Sequence, residues 1–255
     1  MRSCLIVVLA GAGMFILVAC GEPPERGPEV PVAFTMKDVS TAKTTVSSLP
    51  DGRVQIRIEH ELIRGVTPEM LMWFYENVPT AKVEVGGRLY PLYHIWHPGD
   101  HVSVAVITPA PSGSPGLSAG ATIHVKEFVG DGLLDMTATM ERRDAGGTRL
   151  VRSLGPLEIM RLEHSFRATD DGVRVISTGT VGSTVPIVGS LLNLAARRMI
   201  TEDRMRPMFR HMIEEFGNFE FFLRQIWLQR QAATLRLPAR PDRSPAAPQV
   251  DEADA

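Results

Sequence analysis

The feature of this sequence that most constrains its fold is a change of hydrophobic period as the last third of the chain begins. Segments before that point, such as RVQIRIEHELI, alternate apolar and polar residues with the period of a half-buried strand. The last third, from PIVGSLLNLAARRMI through TEDRMRPMFRHMIEEFGNFEFFLRQIWLQRQ, has helical spacing instead. Strands that come first and a long amphipathic helix that comes last predict an α+β fold. In that fold a curved antiparallel sheet wraps around the C-terminal helix and leaves a cavity between them.

The N-terminus has the features of a bacterial lipoprotein signal. Arg2 precedes an apolar run that ends at Cys20, and Leu17-Val18-Ala19-Cys20 matches the tetrapeptide that is cut before a lipid-modified cysteine. We therefore expect residues 1–19 to be a signal peptide, and acyl chains on Cys20 to anchor the protein to a membrane. Because Asp, the inner-membrane retention residue, does not follow Cys20, the prediction is an outer-membrane lipoprotein that faces the periplasm. An ordinary secretory signal with an incidental cysteine is the alternative.

Composition divides the rest of the chain into three parts. Residues 20–34 contain Cys20 and four prolines and predict a Pro-rich tether, whereas residues 236–255 predict a disordered tail. Residues 35–235 are enough for one domain with its own core. This domain contains no cysteine, which excludes disulfides and thiolate metal sites. The net charge of -2 comes from mixed signs without a basic stripe, so nucleic acid is not an expected partner.

Histidines and glutamates suited to a thiolate-free metal site occur in two separate segments. His211 and Glu215 lie four residues apart in FRHMIEEFGN, so one helical turn places both on the same face. An imidazole and a carboxylate at that spacing often bind a divalent ion, although the same spacing also occurs on many solvated helices. Far upstream, YPLYHIWHPGDH contains His94, His97 and His101 within eight residues. The two segments together suggest a metal site.

Strand alternation predicts which polar side chains point toward the core. In ATIHVKEFV, Glu127 shares a face with Ile123 and Val125, whereas His124 lies on the opposite face. A carboxylate on an apolar face is costly unless a metal or a strong donor binds it, or unless the strand ends there in solvent. His164 has a similar apolar-face position in LEIMRLEHSFRAT, and we interpret it as a pocket-lining residue.

The segment HIWHPGDH, Glu127 about thirty residues later and HMIEEFGN near the C-terminus together resemble the 2,4-diacetylphloroglucinol hydrolase family. The resemblance extends over roughly residues 50 to 232. It implies a zinc-dependent enzyme with a helix-grip, START-like fold that cleaves the carbon–carbon bond between an acetyl group and a phenolic ring. The Zn²⁺ ligands that it implies are His97, Glu127, His211 and Glu215.

The chemistry that this resemblance implies requires proton donors and acceptors. Zinc lowers the pKa of bound water and polarises a ketone, so hydroxide could attack the acyl carbonyl while the ring carbon takes up a proton. Tyrosine hydroxyls could donate to a phenolate or acyl oxygen. The expected substrate is a small aromatic or hydrophobic molecule. The predicted catalytic and pocket residues are Glu127, Asp100, His101, Tyr90, Tyr93 and His164.

Two other functions are compatible with the sequence. A lipid-anchored domain with a cavity could bind or carry a hydrophobic molecule near the membrane, and the histidines and glutamates would then be structural or incidental. An enzyme of the same fold could also act on a different bond. The metal content of the purified protein would distinguish the carrier from the enzyme, and zinc, iron and manganese all suit such a ligand set.

Overall fold

The structure, a computed structural model, describes residues 25–241 of the chain. The predicted signal peptide and the predicted lipid site at Cys20 lie outside the described residues, as does most of the predicted tail. In chain order the strands and α-helices are β1 (Lys43–Ser48), β2 (Val54–Glu59), β3 (Ile63–Arg64), α1 (Pro68–Asn77), β4 (Lys82–Val85), β5 (Arg88–Pro91), α2 (Leu92–Trp96), β6 (His101–Thr108), β7 (Thr122–Val129), β8 (Gly132–Asp144), β9 (Gly147–Leu154), β10 (Leu157–Thr169), β11 (Gly172–Val181), α3 (Val188–Met199), α4 (Glu202–Leu228) and β12 (Leu235–Leu237).

One large antiparallel sheet forms the body of the described chain. Its strand order is β1-β2-β11-β10-β9-β8-β7-β6, and β3 pairs with β11 beside β2. Consecutive strands from β6 to β11 are neighbours, and those from β7 to β11 are joined by turns of two residues, which is the simplest path for the chain. The sheet curves around α4, so the predicted fold class, an α+β helix-grip fold with a long C-terminal helix, is confirmed.

The core forms where α4 meets the sheet and the helices α1 and α2. Phe216, Phe219 and Phe222 are each at most 1% exposed. Phe74 of α1 contacts Phe219 edge to face, with ring centroids 4.8 Å apart, and Trp96 of α2 stacks on Phe219 at 5.4 Å. Full burial of one such side chain contributes roughly 1.5–3 kcal/mol. These contacts hold α2, and the residues that follow it, against the middle of α4.

A small second sheet contains strands that the hydrophobic pattern alone does not predict. It consists of β4, β5 and β12, and β12 pairs in parallel with β4 although the two are far apart in sequence. The predicted helix at VTPEMLMWFYENV is α1, with Thr67 as its N-cap and Pro68 in its first turn. Among residues 25–241, no helix combines the length and apolar character needed to cross a membrane.

The ordered domain extends beyond the predicted limits of 35 and 235 at both ends. Val30 and Val32 of the predicted tether are buried, and Phe34 stacks on Phe221 with ring centroids 5.5 Å apart. At the other end, β12 includes residues of the predicted tail, and Ala239 forms a bridge with Val32. The proline content suggested an extended tether, but the apolar side chains between the prolines find a surface to pack against.

Candidate metal centre

Three elements bring four potential metal ligands to one place. α4 supplies His211 and Glu215, β6 begins with His101, and β7 supplies Glu127, which is the register partner of His101. The four ligand atoms all lie within 4.8 Å of one another. Their side chains are between 0% and 13% exposed. This group of four residues, two imidazoles and two carboxylates, is called the His/Glu group below.

His101 presents one ring nitrogen to the backbone and the other to the carboxylates. Nδ1 lies 2.8 Å from the carbonyl oxygen of Tyr93, which can only accept, so Nδ1 carries the hydrogen. Burial lowers the pKa of His101, whereas the hydrogen bond with Glu215 and its charge oppose that effect. Nε2 lies 2.7 Å from Oε1 of Glu215. A histidine whose Nδ1 is oriented by a carbonyl in this way, with Nε2 directed at carboxylates, is typical of metal ligands.

His211 has a similar arrangement, with a carboxylate in place of the carbonyl. Nδ1 lies 3.4 Å from Oδ2 of Asp100. The buried Nε2 has no hydrogen-bond partner among the described residues and lies 3.5 Å from Glu215 and 3.8 Å from Glu127. Burial favours a low pKa for His211, but the charge of Glu215, the hydrogen bond with Asp100 and the nearby carboxylate of Glu127 raise the pKa well above its ordinary value. The site therefore favours a positive charge at Nε2, which a metal ion would supply as well as a proton does.

The carboxylates of the His/Glu group are ionised and oriented. Burial works against their charge, but His211 and His101 outweigh it and lower the pKa of both Glu127 and Glu215. The Tyr93 hydroxyl donates to Oε2 of Glu127 at 2.8 Å. Burial and the charge of Glu127 raise the pKa of Tyr93 well above its ordinary value, so the phenol keeps its proton. The donor set fits a divalent ion that accepts nitrogen and oxygen ligands, such as zinc.

His97, which the sequence analysis assigned to the metal, faces a different partner. Its Nε2 lies 3.0 Å from Oε2 of Glu214, and Arg210 holds the other oxygen of Glu214 at 3.0 Å. The His97 ring stacks against His211 with centroids 4.6 Å apart, and its Nε2 lies 3.8 Å from Asp100. His97, Asp100 and His211 therefore form a second, smaller group of potential ligands beside the His/Glu group.

The different surroundings of His97 and His101 have a local cause. Helix α2 ends at Trp96, and the chain reverses through Gly99, which adopts a φ of 85° that favours glycine. This turn places His101 at the first position of β6, opposite Glu127. His97 and His101 are thus four positions apart in sequence but have different partners. The spacing of HPGDH does not reveal which of the two faces Glu127 and Glu215.

Two of the predicted pocket residues lie away from the His/Glu group. Tyr90 belongs to β5 in the small sheet, where it is buried under the guanidinium of Arg88. His164 bonds through Nδ1 to Ser177 Oγ at 2.8 Å, and His60 bonds to the same oxygen at 2.8 Å. Burial lowers the pKa of His164 to about 4 and that of His60 to about 3. Both rings are neutral partners of a buried hydroxyl.

A cavity of about 640 Å³ opens beside His211 and Asp100. Phe209 contributes to its wall, but no methionine is among the lining residues of the described chain. The methionines of α4 pack instead: Met212 is buried in a cluster with Ile56 and Ile58. The cavity wall combines apolar side chains with several charged ones. These charged side chains are Arg26, Asp100, Asp131, Arg206, Arg210 and His211.

Sequence reasoning did not identify Arg26 or Glu214 as site residues. Arg26 pairs with Asp100, donates to the carbonyl of Gly130 and lies over the Phe128 ring at 4.5 Å. Its position within a Pro-rich segment offered no periodic signal. Glu214 directly precedes Glu215, about 100° around the helix, and its assignment to a second layer of contacts required knowing where His97 lies.

One family model and several solved structures are similar to this chain. The family model described as DAPG hydrolase PhiG domain matches residues 37–228. A search of curated proteins found none that matches the sequence. Among solved structures, Ara h 8.0201 has 12% identity over 66% of this chain and 96% of its own, with a TM-score of 0.43. Protein Ms6760 from Mycobacterium smegmatis has 13% identity over 69% of this chain and 95% of its own, with a TM-score of 0.40.

Proposed function

Since the chain belongs to the DAPG hydrolase family, we propose that it is a metal-dependent hydrolase of acylated phenols. The bond that breaks joins the acyl carbon to the aromatic ring. Water adds to the acyl carbon and a proton goes to the ring carbon, so the products are a carboxylic acid and the deacylated phenol. The family match supports a hydrolase that acts on a carbon–carbon bond in a ketone, and the His/Glu group supports a metal.

The observation that carries this proposal is the convergence of four ligand atoms within 4.8 Å, two of which are imidazole nitrogens that face carboxylates. We assign the ion to Nε2 of His101, Nε2 of His211, and the carboxylates of Glu127 and Glu215. Zinc is the metal that we propose, because two nitrogens and two carboxylates suit it and leave space for a further ligand. His97 then acts on the site only through Asp100 and His211.

When bound, the ion would acidify water and polarise a ketone oxygen, and the residues around it would control the protons. Asp100 lines the cavity. Its carboxyl is ionised, because the hydrogen bond with His211 and nearby positive charges lower its pKa against the effect of burial. We assign to its carboxylate the acceptance of a proton from the attacking water and its delivery to the ring carbon. Tyr93 orients Glu127 by donating a hydrogen bond to it.

The test combines metal analysis with product analysis on the purified full-length chain. We expect about one divalent ion per chain, and release of a carboxylic acid from a panel of acylphloroglucinols that stops when a chelator removes the ion. His124→Ala is the matched control, since His124 lies on the opposite face of β7 and bonds to the exposed Asp135. A metal-loaded protein that leaves every acylated phenol intact would refute the reaction. Ligand retention without product, unaffected by the chelator, would favour a carrier.

The same proposal includes the location of the protein in the cell. The lipoprotein signal ending at Cys20 supports a lipid anchor in the outer membrane with the domain in the periplasm. A substrate that is small, aromatic and partly hydrophobic would be encountered there as it crosses the envelope.

A further inference from the structure

Helix α3 is amphipathic in the opposite sense from most surface helices. Its inward face carries small or polar residues, the buried Gly189, Asn193 and Ala196. Its outward face is apolar: Leu191 is 67% exposed, and Leu194 is 41% exposed. A helix that belongs only to a soluble domain turns its leucines inward. Here the arrangement leaves a stripe of large apolar side chains in contact with solvent.

The orientation of α3 is fixed by polar contacts, so the stripe cannot turn inward. The Asn193 side chain accepts a hydrogen bond from the backbone N–H of Ser183 at 2.8 Å. It also donates to the carbonyl oxygens of Ser183 at 3.0 Å and Asp51 at 3.1 Å. Gly189 lies so close to Ser183 that a Cβ there would stand 2.5 Å from its carbonyl oxygen. Rotation of the helix would break all three hydrogen bonds.

The residues that lead into α3 extend the apolar stripe. Ile187 is 78% exposed and has a φ of 66°, a conformation that is unfavourable for a β-branched residue. Leu154, the last residue of β9, is 65% exposed and lies at the end of the sheet where the chain leaves β11 for α3. The outward stripe is defined as the exposed apolar residues of α3 and of the segments at this end of the sheet: Leu154, Val185, Ile187, Val188, Leu191 and Leu194.

Charge identifies the partner that suits this surface. The segment 182–201 contains no acidic residue, and its charged residues are Arg197 and Arg198 in the last turn of α3. An apolar stripe with arginines beside it is the pattern of a helix that lies in the headgroup region of a bilayer, with its apolar side chains directed toward the acyl chains. A second copy of the chain would find no carboxylate on this segment to pair with these arginines.

We propose that the outward stripe of α3 binds the surface of a bilayer that contains anionic lipids. This contact is separate from the lipid predicted at Cys20. It would orient the domain relative to the membrane, because attachment through a single point would leave the domain free to rotate. The proposal depends on neither the metal nor the hydrolase reaction.

The test places an environment-sensitive fluorophore on the stripe in the full-length chain. Cys4 and Cys20 are replaced by serine, and a single cysteine is introduced by Leu191→Cys for labelling. Leu89→Cys is the matched control, because Leu89 is also an exposed leucine, at 59%, but lies in β5. The apolar run before residue 20 brings both proteins to vesicles, so the depth of the label, rather than binding, is the measurement.

On vesicles of phosphatidylcholine mixed with phosphatidylglycerol, we expect the label at 191 to shift to shorter wavelengths and to be quenched by lipid-borne quenchers, whereas the label at 89 stays unchanged. Arg197→Glu combined with Arg198→Glu should abolish the shift at 191. An unchanged label at 191 on these vesicles would overturn the proposal. A shift at 191 without vesicles would also overturn it, and would indicate coverage by a second copy or by another part of the chain.

Discussion

At the scale of single residues, the two histidines of HPGDH show how local surroundings determine a role. His101 is fully buried and donates through Nδ1 to a carbonyl, which leaves its Nε2 facing carboxylates. Nε2 of His97 instead forms a hydrogen bond with Glu214. We expect His101→Ala to weaken zinc binding by more than ~100-fold and His97→Ala by about tenfold, because the second acts on the ligands indirectly. Competition with a chromophoric chelator measures both. Greater loss in His97→Ala would instead make His97 the ligand.

A substitution of Asp100 should distinguish residues that bind the metal from residues that act in turnover. It lines the cavity and accepts a hydrogen bond from His211, but it is not part of the His/Glu group. We expect Asp100→Asn to lower kcat by ~10²–10⁴-fold, the usual contribution of a positioned proton acceptor, with the metal retained. Steady-state kinetics and elemental analysis of the same preparation test this. Loss of the ion in parallel with activity would make Asp100 a ligand instead.

His164 makes stability depend on pH. Its pKa of about 4 in the folded protein lies below the ordinary value of 6.5, so the unfolded chain binds an additional proton between these pH values. The stabilisation is complete above pH 6.5, and up to about 3 kcal/mol of it is lost as the pH falls toward 4. We expect His164→Gln to reduce the slope of unfolding free energy against pH by roughly 1.4 kcal/mol per unit between pH 6 and 5. Urea titrations measure that slope, and equal slopes would contradict a neutral buried imidazole.

At the scale of elements, residues 26–34 form a strap that crosses the domain next to the site. Arg26 reaches Asp100, and a Cβ at Gly27 would overlap the carbonyl oxygen of His101. Because Arg26 is 44% exposed, its ion pair adds little stability, roughly 0–1 kcal/mol. Its contribution is to hold Asp100 in position.

We therefore expect Arg26→Gln to lower kcat/KM about tenfold through misplacement of Asp100 while the unfolding free energy changes by less than ~1 kcal/mol. Arg57→Gln is the matched control, because Arg57 also forms a partly exposed ion pair, with Glu59 on β2, away from the cavity. Kinetics and urea denaturation on both variants give the comparison. An Arg26→Gln enzyme with unchanged kinetics would show that the strap does not position the catalytic carboxylate.

Elements with strong periodicity could be predicted, and short ones could not. The alternation in β7 predicted the inward side of Glu127 and the outward side of His124, and the structure confirms both. α2 has five residues, and β12 has three and pairs with β4 far away in sequence, so neither carries a detectable period. α2 nevertheless decides which histidine joins the His/Glu group. Local sequence therefore predicts that histidines and glutamates form the group better than it predicts which histidine belongs to it.

At the scale of the whole molecule, the fold brings together residues that are far apart in sequence and holds them in a rigid site. The large sheet and α4 bring His101 and Glu215 together across more than one hundred residues of sequence, and Trp96 locks the arrangement by donating to the backbone carbonyl of Glu215 at 3.0 Å. Asn218 completes the clamp by donating to the carbonyl of Trp96 at 2.8 Å. Short-range contacts of this kind hold metal ligands in place before an ion arrives.

The predicted anchor connects this domain to the membrane through a very short spacer. Five residues lie between Cys20 and Arg26, so an extended chain would reach at most about 20 Å from Cys20 to Arg26. If Cys20 is acylated as predicted, the anchor would keep the domain at the membrane surface, and α3 is proposed to determine how it is oriented. We expect Cys20→Ala to move the protein out of the outer-membrane fraction, or to leave residues 1–19 uncleaved, since acylation precedes cleavage at this tetrapeptide.

Mass spectrometry of the mature N-terminus together with membrane fractionation measures both effects. Cys4→Ala is the matched control, because Cys4 lies inside the predicted signal peptide and its loss should change neither cleavage nor membrane attachment. The wild-type protein should begin at Cys20 and carry the mass of two or three acyl chains. A mature protein that begins at another residue and carries no lipid would contradict the anchor. The short spacer would then only link an ordinary secretory signal to the domain, and any contact with the bilayer would depend on α3 alone.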